Sequence, residues 1–256
     1  MPPSPSHIVS LVPSTTETLF ALGLADRIVG VTRYCERPRS LPPHVRRVGG
    51  TKNPDIAAIR DLKPDLVFVN TEENRPEDVK AIRSFAPVHE SFPKTAAEGA
   101  AFVRDAGKAT GTAAKAEEIA RAIELELEGV SSLAKKNGSR RRAAYFIWKD
   151  PWMTINGDTF IHDVLERAGL ENVFADHSVR YPETAYEEIA RRAPEVIFLS
   201  SEPYPFKEKH RNELLAQEGI PAARLGRIYL VDGQHFCWHG VRQIEGLRWI
   251  RETLLK

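Results

Sequence analysis

Between Thr112 and Lys136 apolar residues return in alternating steps of three and four, at Ala116, Ile119, Ile123, Leu127, Val130 and Ala134, while Glu117, Glu124, Glu128 and Lys135 fall on other faces. The spacing predicts one uninterrupted amphipathic helix near the middle of the chain, capped by Thr112 and stopped by Asn137-Gly138. At about 1.5 Å per residue such a rod is roughly 37 Å long, enough to span two lobes.

On either side of it short apolar runs alternate with helical patterns. Before it, strands are expected at His7–Val12, Arg27–Thr32, Asp65–Asn70 and near Val88. Helices are expected from a Ser14/Glu17 capping box to Gly23, at Pro54–Leu62, at Arg75–Phe85 and after Thr95. After it, strands are expected at Ala143–Trp148, Glu195–Ser200 and Arg227–Val231, with helices at Asp158–Ala168, Pro182–Arg192, Phe206–Gln217 and roughly His239–Leu255. Alternation of this kind implies parallel sheets with helices on their faces. The halves also echo each other: IRDLKPDLVFVN from Ile59 aligns without gaps with IARRAPEVIFLS from Ile189, and Leu22-Gly23-Leu24 resembles Ala168-Gly169-Leu170. The expected architecture is therefore α/β, with two Rossmann-like lobes, residues 1–108 and 140–256, each with a parallel sheet, joined by a single long backbone helix within a linker at 109–139.

Length admits two lobes, and 42% hydrophobic with 28% charged residues is ordinary globular composition. A net charge of +1 gives no reason to invoke nucleic acid. Cys35 and Cys237 have neither CxxC nor metal spacing and read as reduced thiols, with a disulfide between them the alternative. The start, MPPSPSHIVSLVPS, shows no basic n-region or apolar h-region, and no apolar run approaches a membrane span. As written the sequence leads to the expectation of a soluble cytoplasmic protein without membrane insertion, or a periplasmic or extracellular one if the start is truncated.

In open parallel sheets ligands bind beyond the carboxyl ends of the strands. Trp148, Trp152, Trp238, Tyr34, Tyr204, Phe206 and Phe236 fall at or beside such ends and Tyr181 leads into a helix, which points to a flat, partly apolar ligand held by stacking. No GxSxG, GxxxxGK, GxGxxG or HExxH motif is present, so the common enzymes of this fold class have nothing to stand on. His235-x3-His239 has the spacing of two metal ligands on a helix, but Gly240 disturbs it, and no metal is expected.

SLVPSTTETLFALGL, IVGVTRYCERP, LKPDLVFVN, the central helix, DPWMTINGDTFIHDVLERAGLENVF, RYPE, SSEPYPF and VDGQHFCWHGVR, spread from Ile8 to Leu255, resemble the cobalamin-binding members of the helical-backbone (class III) substrate-binding proteins of ABC transporters. The resemblance implies two lobes on a rigid helix, a ligand between them and no catalysis, hence no cofactor beyond the ligand itself. It carries ligand contacts onto Tyr34, Trp152, Tyr181 and the loop holding Phe236, Trp238, His239 and Arg242; Arg242 and Ser201 are the expected polar contacts. It also implies one exposed glutamate per lobe for docking on a permease. Glu187 fills that place in the second lobe and Ala57 stands there in the first, so a permease partner is in question. The expected protein is a monomer that binds cobalamin or a related corrinoid. The alternatives are a binder of iron-siderophore, haem or another metal chelate, to whose carboxylates Arg33, Lys52 and Arg180 would answer, and a corrinoid-processing enzyme using His235, His239 or Glu202.

Overall fold

The computed structural model describes residues 4–138 and 140–255. They form two compact units. The first comprises the residues up to Pro93, Ala97–Glu124 and His239–Arg242; the second Lys94–Ala96, Leu125–Trp238 and the chain from Gln243 onward. The change of unit therefore falls inside the central helix, between Glu124 and Leu125, rather than at its ends, and each unit takes in a short segment remote in sequence.

In the first unit β1 (Ile8–Ser10), α1 (Pro13–Ala21), β2 (Ile28–Val31), β3 (Arg46–Arg47), α2 (Ile56–Asp61), β4 (Leu66–Asn70), α3 (Pro76–Arg83) and β5 (Val88–Ser91) build a wholly parallel sheet of order β3-β2-β1-β4-β5. Val9, Leu11, Val48, Ile59, Val67, Val69, Val79 and Ile82 form one of its buried clusters. Helices α4 (Ala96–Thr110) and α5 (Ala113–Asn137) follow. Helix α5 is unbroken through Gly129 and ends where Gly138 turns to φ +77° with its N–H on the Ala134 carbonyl. Its stripe Ala116, Ile119, Ile123, Leu127 and Val130 is buried, as the three-four spacing requires.

The second unit contains β6 (Arg141–Phe146), β7 (Trp152–Met153), α6 (Phe160–Arg167), β8 (Leu170–Asn172), β9 (Glu183–Thr184), α7 (Tyr186–Arg192), β10 (Val196–Ser200), α8 (Glu208–Leu215), α9 (Pro221–Arg224), β11 (Ile228–Val231), α10 (Gln234–Cys237) and α11 (Arg242–Trp249), which runs on into a π turn at Ile250–Leu254. Strands β11-β10-β6-β8 make a second parallel sheet, and β7 pairs antiparallel with β9. Taken from the other edge this order is that of β2-β1-β4-β5, so the sequence echo corresponds to one topology used twice.

The echo extends to backbone conformation. Lys63 and Ala193, at matching places after α2 and α7, both sit at φ +48°, and Gly23 and Gly169, after α1 and α6, lie at φ +81° and +71°. Each helix must reverse within a residue or two to enter its strand, and a left-handed residue does this. The next acid then fixes the strand entry. The N–H of Asp65 donates to the His7 carbonyl and that of Glu195 to the Arg142 carbonyl, while their carboxylates accept from the His7 and Arg142 N–H groups.

Three helix starts are set by features that the periodicity does not carry. Pro13 takes the first position of α1 after an uncapped Val12, which places Ser14 within the first turn and leaves no Ser14/Glu17 capping box. The helix expected from Pro182 begins at Tyr186, because Glu183 and Thr184 pair with Met153 and Trp152. The last begins at Arg242 rather than His239. Gly240 lies at φ +83°, where a Cβ would stand 2.2 Å from Thr18 Oγ1, and the Val241 N–H donates to that hydroxyl.

The left-handed turns give a stability test. Ala193→Gly and Lys63→Gly should each stabilise the protein by about 0.5–1 kcal/mol, since removing the Cβ penalty outweighs the extra chain entropy of glycine. Urea unfolding would show this as a raised midpoint at unchanged slope; a lowered midpoint in both variants would refute it.

Candidate functional site

At the carboxyl ends of the first unit's strands, backbone and side chains are tied together before any ligand is considered. Asn74 is buried, and its Nδ2 donates to the Thr51 carbonyl at 2.9 Å and to the Leu11 carbonyl at 3.3 Å while its Oδ1 accepts the Asn70 N–H, joining the loops after β1 and β4 to the one before α2. Asn70 Oδ1 in turn accepts the N–H groups of Glu72 and Glu73. Beneath, Cys35 Sγ lies 3.1 Å from Thr16 Oγ1 and 3.2 Å from Thr32 Oγ1; burial pushes the thiol up, outweighing those bonds, so it is a packed and unreactive group. Cys237 is likewise a thiol rather than half of a disulfide, and its Sγ donates to Glu202 Oε1 at 3.1 Å.

Tyr34 stands out on this surface at 50% exposure. The Arg33 guanidinium lies 5.1 Å from its ring centroid and donates to Asn53 Oδ1 at 3.3 Å. Gly50 keeps the loop close, because a Cβ there would come within 3.1 Å of the tyrosine ring and 3.2 Å of Arg33 Nη2.

His239 and Arg242 belong to the same unit, but neither presents a polar tip for a ligand. Arg242 is 4% exposed and is ion-paired with Glu17, its Nε donating to Glu17 Oε2 at 3.0 Å. That is where the expected polar contact goes. The His239 ring meets Phe102 edge-on at 5.0 Å, at the end of a row running through His89 to Phe68. Burial lowers its pKa to about 4, so it is a neutral packing group.

In the second unit the aromatic set divides. Phe236 is wholly buried among Tyr145, Phe198 and Trp249, so the ligand contact expected of its side chain gives way to core packing. Trp152 is also buried, stacked on Phe206 at 5.6 Å with the Lys149 ammonium 5.0 Å from its ring centroid. Trp238 is buried and donates its Nε1–H to Glu202 Oε1 at 2.6 Å. Tyr181 is half-buried beside Arg180, whose Nη1 is held by Asp158 Oδ2 at 2.9 Å. Trp148 is 41% exposed, edge-on to Tyr204 at 5.4 Å. Ser201 is exposed, and its Oγ accepts the Gly233 N–H at 3.0 Å. Deeper in, the Tyr145 hydroxyl donates to Ser200 Oγ at 3.0 Å and Ser200 Oγ donates to the Glu202 carbonyl at 2.6 Å; burial pushes the phenol well above its ordinary value.

His235 and His239 do not act as a pair. His235 Nε2 lies 3.6 Å from Glu245, with its ring 5.5 Å from that of Trp249, whereas His239 packs on Phe102. Among the described residues no three of His, Cys, Asp and Glu gather as a metal site. Glu187 and Ala57 are both exposed and each is the second residue of its helix, α7 and α2, so the doubled topology places a carboxylate on one unit where the other has a methyl group. No helix among the described residues is long and apolar enough to cross a membrane.

Two α/β units, each built on a parallel sheet with aromatic or amide groups at its strand ends, define a binding protein of the kind that holds a small molecule. Residues 8–235 match the model of the periplasmic binding protein family, and the chain belongs to that family. Among its relatives are the vitamin B12-binding protein of Vibrio parahaemolyticus, 26% identical over 76% of this chain and 70% of that one, and the vitamin B12-binding protein of Yersinia pestis, 30% identical over 76% and 69%. An uncharacterized ABC transporter substrate-binding lipoprotein of Bacillus subtilis is 27% identical over 98% of this chain and 80% of its own. The fold is shared with the periplasmic vitamin B12-binding protein of Vibrio cholerae, at TM-score 0.85, 23% identity and coverage of 97% and 96%. It is shared equally with a periplasmic heme-binding protein from Roseiflexus sp. RS-1, at 0.83, 22%, 96% and 97%.

Two consequences can be measured. Arg242→Ala should destabilise the protein by about 3–5 kcal/mol, because it strands the Glu17 carboxylate in a largely buried place; unchanged stability would make Arg242 a candidate ligand contact again. His239 binds a proton less readily folded than unfolded, so the unfolded state takes up more protons between the two values. Its contribution to stability is intact above about pH 6.5 and falls as pH drops towards about 4, by as much as about 3 kcal/mol. His89 and His162, also lowered by burial, add to the same slope, so the comparison is with His239→Phe, which should flatten the pH dependence of the urea midpoint without abolishing it.

Proposed function

We propose that the protein binds a corrinoid such as cobalamin without transforming it, using the aromatic and loop residues at the carboxyl ends of its parallel strands, and hands it to an ABC permease. The observation that carries this is the exposure of Tyr34 and Trp148 at strand ends, in units whose neighbouring loops are tied by the Asn74–Thr51 and Gly233–Ser201 hydrogen bonds. Flat apolar rings on a preformed surface suit a large macrocycle, which gains from contact area and needs few hydrogen bonds. Kinship with proteins described as vitamin B12-binding supports the ligand class. A haem-type macrocycle is the second reading, favoured by Arg33 beside Tyr34 and by a fold shared with heme-binding proteins. A catalytic role for His239 is disfavoured by its burial, and one for Glu202 by its bond to Trp238.

Glu187 supplies a docking carboxylate on α7, while the equivalent Ala57 supplies none, which makes for salt-sensitive docking. The cytoplasmic expectation drawn from the first residues stands against relatives described as periplasmic or as a lipoprotein, which support a working place outside the cytoplasm. Fractionation of cells decides between them.

Titration with cyanocobalamin should quench tryptophan fluorescence with a saturable curve. Tyr34→Ala should weaken binding by roughly tenfold, about 1.4 kcal/mol, at unchanged unfolding midpoint. Silence with cobalamin and a response to haem would reverse the order of the two readings.

A further inference from the structure

The connection from Arg33 to Lys52, which joins β2 to the loop before α2, holds Arg33, Arg37, Arg39, Arg46, Arg47 and Lys52 against the single carboxylate of Glu36, in a chain whose total charge is only +1. The segment is held in place from within. Arg47 Nη1 donates to the carbonyls of Thr32 at 2.9 Å and Cys35 at 3.2 Å, which folds the chain after β2 back against β3. Arg33 remains exposed at the carboxyl end of β2, and among the described residues its guanidinium meets neutral groups, the Asn53 amide oxygen and the Tyr34 ring. Lys52, on the same loop, donates to the carbonyl oxygen of Glu72 rather than to a carboxylate. The acids nearest along these loops are Glu36, Asp55, Glu72 and Glu73; Asp55 Oδ1 accepts the Ala58 N–H, and Glu72 and Glu73 each have a partner. Arg180, by contrast, is neutralised by Asp158, which also receives Lys94.

A planar guanidinium fixed beside an exposed ring, with neutral partners and a surplus of positive charge behind it, is built to take a carboxylate or phosphate carried on whatever lies flat against that ring. We propose that Arg33, seconded by Lys52, forms an anion subsite beside Tyr34 and makes the protein select the acidic member of a pair of otherwise identical macrocycles. This rests on the reading of the protein as a macrocycle binder but not on which macrocycle it is.

The test compares two matched pairs on the intact protein by fluorescence titration at low ionic strength: cyanocobalamin against its monocarboxylic acids, made by hydrolysing one peripheral amide, and the dimethyl ester of haem against haem. In whichever series binds, the acid should bind about three- to tenfold more tightly, as expected for an exposed charge-assisted contact. The ratio should shrink in high salt, fall towards one in Arg33→Gln, fall part of the way in Lys52→Gln, and be largely retained in Arg33→Lys. Equal affinities within every pair, a ratio that Arg33→Gln leaves unmoved, or failure of both acids to bind would overturn the proposal. Binding confined to the haem pair would overturn the corrinoid reading while leaving the anion subsite standing.

Discussion

The constraint on which both units depend is the continuous hydrogen-bond ladder of α5. Its buried stripe belongs to the first unit at Ala116, Ile119 and Ile123 and to the second at Leu127 and Val130, so neither unit's helical layer is complete without its share of one rod. Charge fixes the rod in each share. In the first unit Arg104 on α4 holds Glu117 and Glu124, two turns apart, at 2.6 Å each. In the second, Glu126 is nearly buried and receives Arg248 at 3.0 Å and Arg251 at 3.2 Å. A carboxylate in that position would be costly with no partner, and two arginines offset its desolvation. Gly129 is the point where the ladder is intrinsically weakest, at roughly 1 kcal/mol below alanine. A Cβ there would lie only 3.3 Å from Arg251 Nη1, so the glycine makes room for the cation that neutralises Glu126.

Within each unit the same local solution recurs because the same problem recurs. A helix laid on a parallel sheet must end, reverse and deliver the chain to the start of the next strand. Lys63 and Ala193 accept left-handed strain to do it, and Asp65 and Glu195 then catch the backbone of the neighbouring strand. Burial opposes ionisation of Asp65, yet the Ser6 and His7 N–H groups prevail and hold its carboxyl below the usual range; the bond is to the charged form.

That repetition explains what could be read in advance. Helix-strand alternation, the stripe of α5, its stop at Gly138 and the paired KPDL and APEV turns are all local patterns, and they appear where the periodicity put them. What failed to show were features made by residues far apart. Glu17 has the spacing of a capping partner for Ser14, and nothing nearby reveals that Arg242, more than two hundred positions on, will claim it. Strands β3, β7, β8 and β9 are two or three residues long, too short for any periodicity to register. For the candidate site the placement was legible and the orientation was not. Tyr34 and Phe236 are both aromatics beside strand ends, and only packing decides that one faces solvent and the other the core. Asn74 carried a faint signal, an amide four residues beyond the strand-ending Asn70, which acquires meaning once Thr51 and Leu11 are found to be its partners.

The internal bonding of the strand ends also determines what kind of affinity they can offer. Asn70, Asn74, Ser200, Glu202, Glu17 and Arg242 are all polar residues near those ends, and each is engaged with another group of the same unit. These bonds hold their loops in shape, so a ligand would not have to meet the entropic cost of ordering them. The same engagement removes most of the directional donors and acceptors that a small polar molecule would need. Surfaces that are rigid, aromatic at their exposed points and sparing in unbonded polar groups favour recognition by shape and area.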